Sequence, residues 1–496
     1  MRHFDHAYIG GRFVPVLGTD TLQSIDPTTE RVIGTATLAN REDARRAIAA
    51  ARDAQRTLGR TSKAERIAML ERLHAAVLAR TDDIRDATLE EYGGPMSRAR
   101  WVSQYASQSF ANTIGVLEDC EFVRHVGNAE VLMAPVGVSA LIVPWNSVAG
   151  TMCSKLASAL AAGCASVIKP SEFSPLQTRV VAEAFHDADL PPGAVNVLLG
   201  RGGDVGDELS TNPDVARISF TGSTPTGKLI ARAAVDTMKR VSLALTGKSA
   251  TVLLDDADFA AAVPLALNAA FMNNGQACVA GTRLLVPRAR QAEVLDRVRH
   301  TVAALRVGDP RDPETAIGPM ASRAQYDRIQ HYIRLGLDEG ATLVAGGEGR
   351  PQGRDNGLFG RATGFAGGDG GMAIAREEIF GPVLSILAYD DEDDAVRIAN
   401  DSQYGLQAFV FSSRPGSARR VAARLEAGSV LINRIAPDVL APFGGIKQSG
   451  VGRELGRFGF ESFLEPKALV WTNRALRTPR GPARRAARPR SPARGR

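Results

Sequence analysis

Val136-Gly137-Val138-Ser139-Ala140-Leu141-Ile142-Val143 is a short apolar run, closed by Pro144-Trp145-Asn146. Helical spacing follows over residues 148–161, a second apolar run over 165–168, and a second helical stretch over 176–188. The alternation continues through 195–199, 215–220 and 225–238. Short runs that are apolar throughout, separated by helices, describe strands buried on both faces of a doubly wound parallel sheet. Nucleotides bind such sheets at the carboxyl ends of the strands.

Upstream, residues 8–37 are rich in strand signals and lead into two amphipathic helices. In the second, Ile67, Leu70, Leu73, Val77 and Leu78 recur at helical spacing and predict one buried face. Downstream, helices expected near 291–305 and 321–339 belong to a second α/β stretch. At 496 residues the chain is too long for one hydrophobic core. Two glycine-rich segments do not have the form of phosphate cradles. Residues 366–372 neither follow a clear strand nor open a helix with a lysine. Residues 200–206 miss the G-x-G-x-x-G spacing and are expected to form a strand-to-helix turn.

A hydrophobic content of 44% and a charged content of 23% are those of an ordinary globular protein. No apolar run reaches the roughly 18 residues needed to cross a membrane, and the first residues lack the apolar stretch of a secretory signal. Cys120, Cys153, Cys164 and Cys278 show neither metal-ligand pairing nor disulfide density, so a cytoplasmic location and no metal site are expected. The net charge of +6 misleads: residues 474–496 hold nine arginines and no acid, leaving the rest of the chain at −3. That Arg/Pro/Ala segment has no apolar periodicity and is expected to be a disordered tail over 475–496. A nucleic-acid partner is not expected.

The chemistry begins at Asn273-Asn274-Gly275-Gln276-Ala277-Cys278, with Leu243-Ala244-Leu245-Thr246-Gly247-Lys248 upstream. With Pro144-Trp145-Asn146, Ile168-Lys169-Pro170-Ser171-Glu172, Phe220-Thr221-Gly222-Ser223-Thr224-Pro225-Thr226-Gly227, Glu377-Glu378-Ile379-Phe380-Gly381-Pro382 and residues 442–450, the chain resembles the NAD(P)-dependent aldehyde dehydrogenase superfamily over roughly residues 8–474. The resemblance implies Cys278 as nucleophile, Asn146 with the Cys278 amide as oxyanion hole, and Lys155 and Glu465 as supports for proton movement. It implies Lys169 and Glu172 at the adenosine ribose, Glu378 at the nicotinamide ribose, and Trp145 and Phe380 near the ring. Gly222, Ser223 and Gly227 fall where a strand, tight turn and helix N-terminus suit a pyrophosphate. Glu172 favours the free ribose hydroxyls of NAD, with NADP as the alternative.

Hydride loss from an aldehyde needs an electron pair behind it, which a thiolate supplies by making a tetrahedral thiohemiacetal. The relatives then use a glutamate to activate water against the thioester. Here that position is Ala244, and Thr246 replaces a glycine of the same motif. Arg361-Ala362-Thr363 also stands where relatives have Glu-Pro-Thr. Ser147, Thr151, Ser154 and Met272 fall where many relatives place larger side chains, implying a wider, less apolar tunnel.

The resemblance thus implies an aldehyde dehydrogenase-like α/β fold: a doubly wound NAD-binding domain, an α/β catalytic domain and a small bridging β element. Expected boundaries are 1–117 and 136–246 for NAD binding, 118–135 and 460–474 for bridging strands, and 247–459 for catalysis. The expected activity is oxidation of an aldehyde to its acid with impaired hydrolysis, by a homodimer or homotetramer. Acyl transfer to a non-water nucleophile and a non-catalytic scaffold remain as alternatives.

Overall fold

The computed structural model describes residues 1–368 and 370–471, so the expected tail at 475–496 lies outside the described residues. The chain forms two compact units. The larger joins Met1–Cys120 to Pro135–Leu464. Its first sheet has eight strands, of which five are parallel, in the order Arg240–Ala244, Arg217–Thr221, Ser139–Ile142, Ser166–Lys169 and Val195–Val197. The chain runs outward from Ser139–Ile142 in one direction, then returns to place Arg217–Thr221 on its other side. That reversal is a topological switch point, where an open sheet leaves a crevice for a ligand.

The helices fit their sequence signals. Val148–Ala162 is nearly all buried and ends on Gly163 in the left-handed conformation. Thr224–Val235 starts with Ser223 as N-cap and Pro225 in its first turn. The second N-terminal helix, Lys63–Ala79, buries Leu70, Leu73 and Val77 as expected, but Leu78 is exposed. It sits next to Val77 and so about 100° around the helix, beyond the edge of the buried stripe. A further helix, Met96–Glu118, packs on both Lys63–Ala79 and Val148–Ala162. The sequence reading did not include it. Its buried positions are largely alanine and serine, Ala99, Ser103, Ala106 and Ser107 among them, which give a weak hydrophobic signal.

The second sheet of this unit has seven strands. Six are parallel, and the edge strand Thr342–Ala345 is antiparallel to its neighbour. Helices Gln291–Ala304 and Arg323–Asp338 fall within two residues of their expected positions. The glycine-rich 200–206 segment, expected as a turn, is a single turn of π-helix over Gly202–Gly206 that runs into the short helix Asp207–Thr211.

The smaller unit joins Glu121–Ala134 to the segment from Glu465 onward. Its three-stranded sheet has the order Leu464–Val470, Ala129–Pro135, Val123–Val126, and exposes Val123, Val126, Val470 and Trp471.

Candidate active site

Cys278 follows an unusual turn. Asn273, Asn274 and Gly275 are three consecutive residues with positive φ, at 56°, 60° and 70°. Left-handed backbone is unfavourable for residues other than glycine and persists only where the surroundings hold it. Here both asparagine amides do so. Asn274 Nδ2 donates to the carbonyls of Gly93 (3.0 Å) and Pro319 (2.9 Å), and its Oδ1 accepts from Gly318 N (2.7 Å). Asn273 Nδ2 donates to Asn146 O (3.2 Å) and Gln276 O (3.0 Å). Gly275 must be glycine for another reason: a Cβ there would come within 2.2 Å of the Gly381 carbonyl carbon.

Asn146 leaves the Ser139–Ile142 strand at the switch point. Its Nδ2 donates to Gln276 O at 2.9 Å, two residues before Cys278. The side-chain amide has a second hydrogen to offer an incoming oxygen. Cys278 is partly open, and burial pushes its thiol up to about 12, followed by the charge of Glu378. Backbone N–H groups of Cys278 and Val279, and the Arg98 guanidinium, act in the opposite direction.

A cavity of about 500 Å³ opens over the sulfur, lined by Trp145, Asn146, Gly222, Ser223, Ala244, Thr246, Cys278, Glu378 and Phe380 among others. Ala244 ends the Arg240–Ala244 strand and contributes a buried methyl group to this wall. Two residues on, the Thr246 hydroxyl accepts from Thr224 N (3.2 Å) and hydrogen-bonds the Glu378 carboxylate. Gly247 N donates to Glu378 Oε1 at 3.0 Å. Burial nevertheless raises Glu378 to about 7, against those hydrogen bonds and the charges of Lys248 and Arg328. Lys248, in the same motif, is wholly buried with no hydrogen-bond partner for its Nζ, and burial brings it down to about 7.

Of the expected cofactor residues, Trp145, Gly222, Ser223, Glu378 and Phe380 line this cavity. Phe380, at φ 61°, stands edge-on to Trp145 with ring centroids 5.3 Å apart. Gly227 lies against Leu245, where a Cβ would come within 2.6 Å of Cδ2. Thr221 Oγ1 is buried without a partner beside Gly222 and Ser223. Lys169 Nζ donates to Pro170 O (3.1 Å) and to Glu172 Oε2 (3.4 Å). A crevice at the switch point, a capped helix N-terminus and an unsatisfied hydroxyl fit a dinucleotide.

Lys155 pairs with an acid outside the expected set. Lys155 is buried, and its ammonium pairs with Glu454 while donating to Ser219 Oγ at 2.7 Å. Ser219 Oγ in turn donates to Glu454 Oε1 at 3.2 Å. Burial lowers the Lys155 pKa and the Glu454 charge opposes that. Glu465, expected to support proton movement, lies in the strand Leu464–Val470. The chain enters the eight-stranded sheet at Gly450–Val451, beside Leu243 and Ala244, and this brings Glu454 to Lys155. Sequence reading stopped the motif at Gly450; the acid in Gly452-Arg453-Glu454 was the available signal. Arg98, hydrogen-bonded to Ser147 beside Asn146, carried no signal in the sequence motifs.

Comparison with known proteins agrees with this geometry. Residues 14–469 match the model of the aldehyde dehydrogenase family. A 3-succinoylsemialdehyde-pyridine dehydrogenase from a Pseudomonas species is 43% identical, covering 95% of this chain and 99% of that protein. A variant of aldehyde dehydrogenase C from Pseudomonas syringae, solved with NAD+ and octanal, superposes with a TM-score of 0.92 at 43% identity, over 94% of this chain and 96% of that one. The betaine aldehyde dehydrogenase of Staphylococcus aureus, solved with NAD+, gives 0.91 at 34% identity over 95% of both chains. By its cysteine turn, its switch-point crevice and its match along nearly the whole length, this chain belongs to the aldehyde dehydrogenase family.

Proposed function

We propose that this protein oxidises an aldehyde to a carboxylic acid through a thioester on Cys278, with NAD+ as acceptor and hydrolysis as the slow step. The observation behind this reading is one cavity lined by Cys278 and Asn146 with a methyl group, Ala244, where the base would stand. NAD+ bound there would supply the hydride acceptor. Lys169 and Glu172 would hold its adenosine ribose, and Gly222, Ser223 and the Thr224–Val235 N-terminus its pyrophosphate. Glu378 would hold the nicotinamide ribose, with Trp145 and Phe380 beside it.

Cys278 Sγ gives its proton to solvent water in the open cavity and bonds to the aldehyde carbon, and the C=O electron pair moves onto oxygen. Asn146 Nδ2 and the Cys278 N–H receive that oxyanion, each worth roughly 3–4 kcal/mol in the transition state. Loss of hydride restores the carbonyl as a thioester. Water must then add as the C–S bond breaks, giving the acid and the free thiol. Glu377 is exposed and bound by Tyr332, so Glu378 is the cavity carboxylate left to take the water proton. It already serves Gly247 N and Thr246, so hydrolysis is slow.

The three-stranded sheet, with its exposed Val123, Val126, Val470 and Trp471, supports assembly into a homodimer or homotetramer. Three buried free cysteines and a partly open Cys278 suit a cytoplasmic location. The deciding experiment is stopped-flow NADH formation with a panel of aldehydes: a burst of one NADH per active site, then a slow phase. No NADH from any aldehyde would sink the reading, and a burst whose slow phase speeds up with added thiol or amine would make acyl transfer the activity.

A further inference from the structure

Arg98 is the third residue of the Met96–Glu118 helix. Its guanidinium lies 4.5 Å from the centroid of the Trp101 ring, which itself stacks on Tyr105 at 4.9 Å. Nη2 donates to Ser147 Oγ at 3.2 Å, one residue beyond the oxyanion-hole asparagine. Nε is buried and has no partner. Among the described residues no carboxylate lies within ion-pair distance of it, whereas most of the protein's other arginine contacts are ion pairs. Its charge acts on Cys278, and that of the thiolate acts on it.

An arginine keeps its charge in any protein setting. A half-buried cation with an unsatisfied donor and no counterion is costly as a purely structural element. The same fork beside a nucleophile is preorganised for a planar anion, which it binds through two parallel N–H···O bonds. Ser147, Thr151 and Ser154 add small polar surface rather than an apolar wall, and each is partly open. Trp101 and Tyr105 hold the guanidinium plane, so little is lost in ordering it on binding.

We infer that Arg98 is the carboxylate-binding residue of the substrate tunnel, and that the preferred substrate is an aldehyde carrying a carboxylate at its far end. This rests on the reading of Cys278 as the nucleophile. The carboxylate of such an oxo acid takes the free Nη hydrogens while its carbonyl carbon is presented to Cys278. The product is a dicarboxylate.

Two measurements separate the two claims. The first compares kcat/KM, from the NADH burst, for a dicarboxylic acid semialdehyde and for the methyl-terminated aldehyde of equal length. Charge-assisted hydrogen bonds predict a preference of roughly 10–100-fold for the charged substrate. Arg98→Met should remove that preference, Arg98→Lys should keep part of it, and raising ionic strength should shrink it in the wild type. The second is equilibrium binding of a saturated dicarboxylate to the full-length protein, which needs no turnover. Binding that Arg98→Met weakens by a similar factor supports the subsite even if no aldehyde is oxidised. Equal kcat/KM for the two aldehydes, or dicarboxylate affinity that is the same in wild type and Arg98→Met, overturns the inference.

Discussion

Lys155 and Glu454 lie 299 residues apart in sequence and meet as an ion pair, with Ser219 hydrogen-bonded to both. Removing one partner from such a pair leaves the other charge uncompensated and costs about 3–5 kcal/mol. Glu454 keeps some solvent access, so the lower figure applies. Lys155→Met should therefore lower the unfolding midpoint in denaturant, and Glu454→Gln should lower it less. Both should slow the NADH burst. Glu465→Gln, by the same measurement, should change the burst rate by less than Lys155→Met, because Lys155 makes its ion pair with Glu454. A large burst defect from Glu465→Gln alone would restore that residue to the role first expected of it.

The nucleophile is tested directly. Cys278→Ser should abolish NADH formation while NAD+ still binds, because the Asn273–Gly275 turn is held by asparagine amides rather than by the thiol. Fluorescence titration with NAD+ measures the second part. An active Cys278→Ser enzyme would remove the thioester.

Ala244 faces the cavity from a strand end fixed on both sides, paired to Thr221 and to Gly450. Ala244→Glu should thus place a carboxylate near the acyl carbon and speed the slow phase by up to ~10²-fold, the lower end for a general base. Thr246 hydrogen-bonds Glu378, so Ala244→Glu/Thr246→Gly also frees that carboxylate and should be the faster of the two. A slow phase unaltered in both variants would mean that hydrolysis is not limited by water activation.

The pH dependence follows from Glu378. Its carboxyl is raised to about 7, and only the deprotonated form accepts a proton from water. The slow phase should be present above about pH 7 and fall away as pH drops through it, whereas an ordinary carboxylate would hold its activity down to about pH 4.5. A flat slow phase between pH 5 and 8 would exclude Glu378 as the base. Stability moves the other way. The folded protein holds this proton more tightly than the unfolded chain, so this group's contribution is fully present below about 4.5 and is lost as pH rises to 7.

Much of this was legible from local pattern. Alternating short apolar runs and helices gave the parallel strands, because a buried strand must be apolar along its length and its connecting helix amphipathic. Turn chemistry gave the helix start at Ser223. What pattern did not give was set by tertiary placement. Glu454 reaches Lys155 only because a two-residue strand at Gly450–Val451 joins the sheet edge. The Met96–Glu118 helix hides behind small residues, and with it Arg98 was hidden too. Leu78 followed the periodicity but overshot the buried stripe by one position.

Gly247 lies so close to the nucleophile loop that a Cβ on it would sit 2.1 Å from the Cys278 carbonyl oxygen. Gly247→Ala should therefore cost about 1–3 kcal/mol through overpacking and lower the burst amplitude, measured by active-site titration. The wider consequence concerns directed evolution of this enzyme. The segment that carries Ala244 and the loop that carries Cys278 share one backbone seam, so they behave as a single part. A library built to reinstall a base must vary the side chains at 244 and 246 and hold 247 invariant. Otherwise gains in water activation will be masked by displaced thiols, and screening will discard the winners along with the losers.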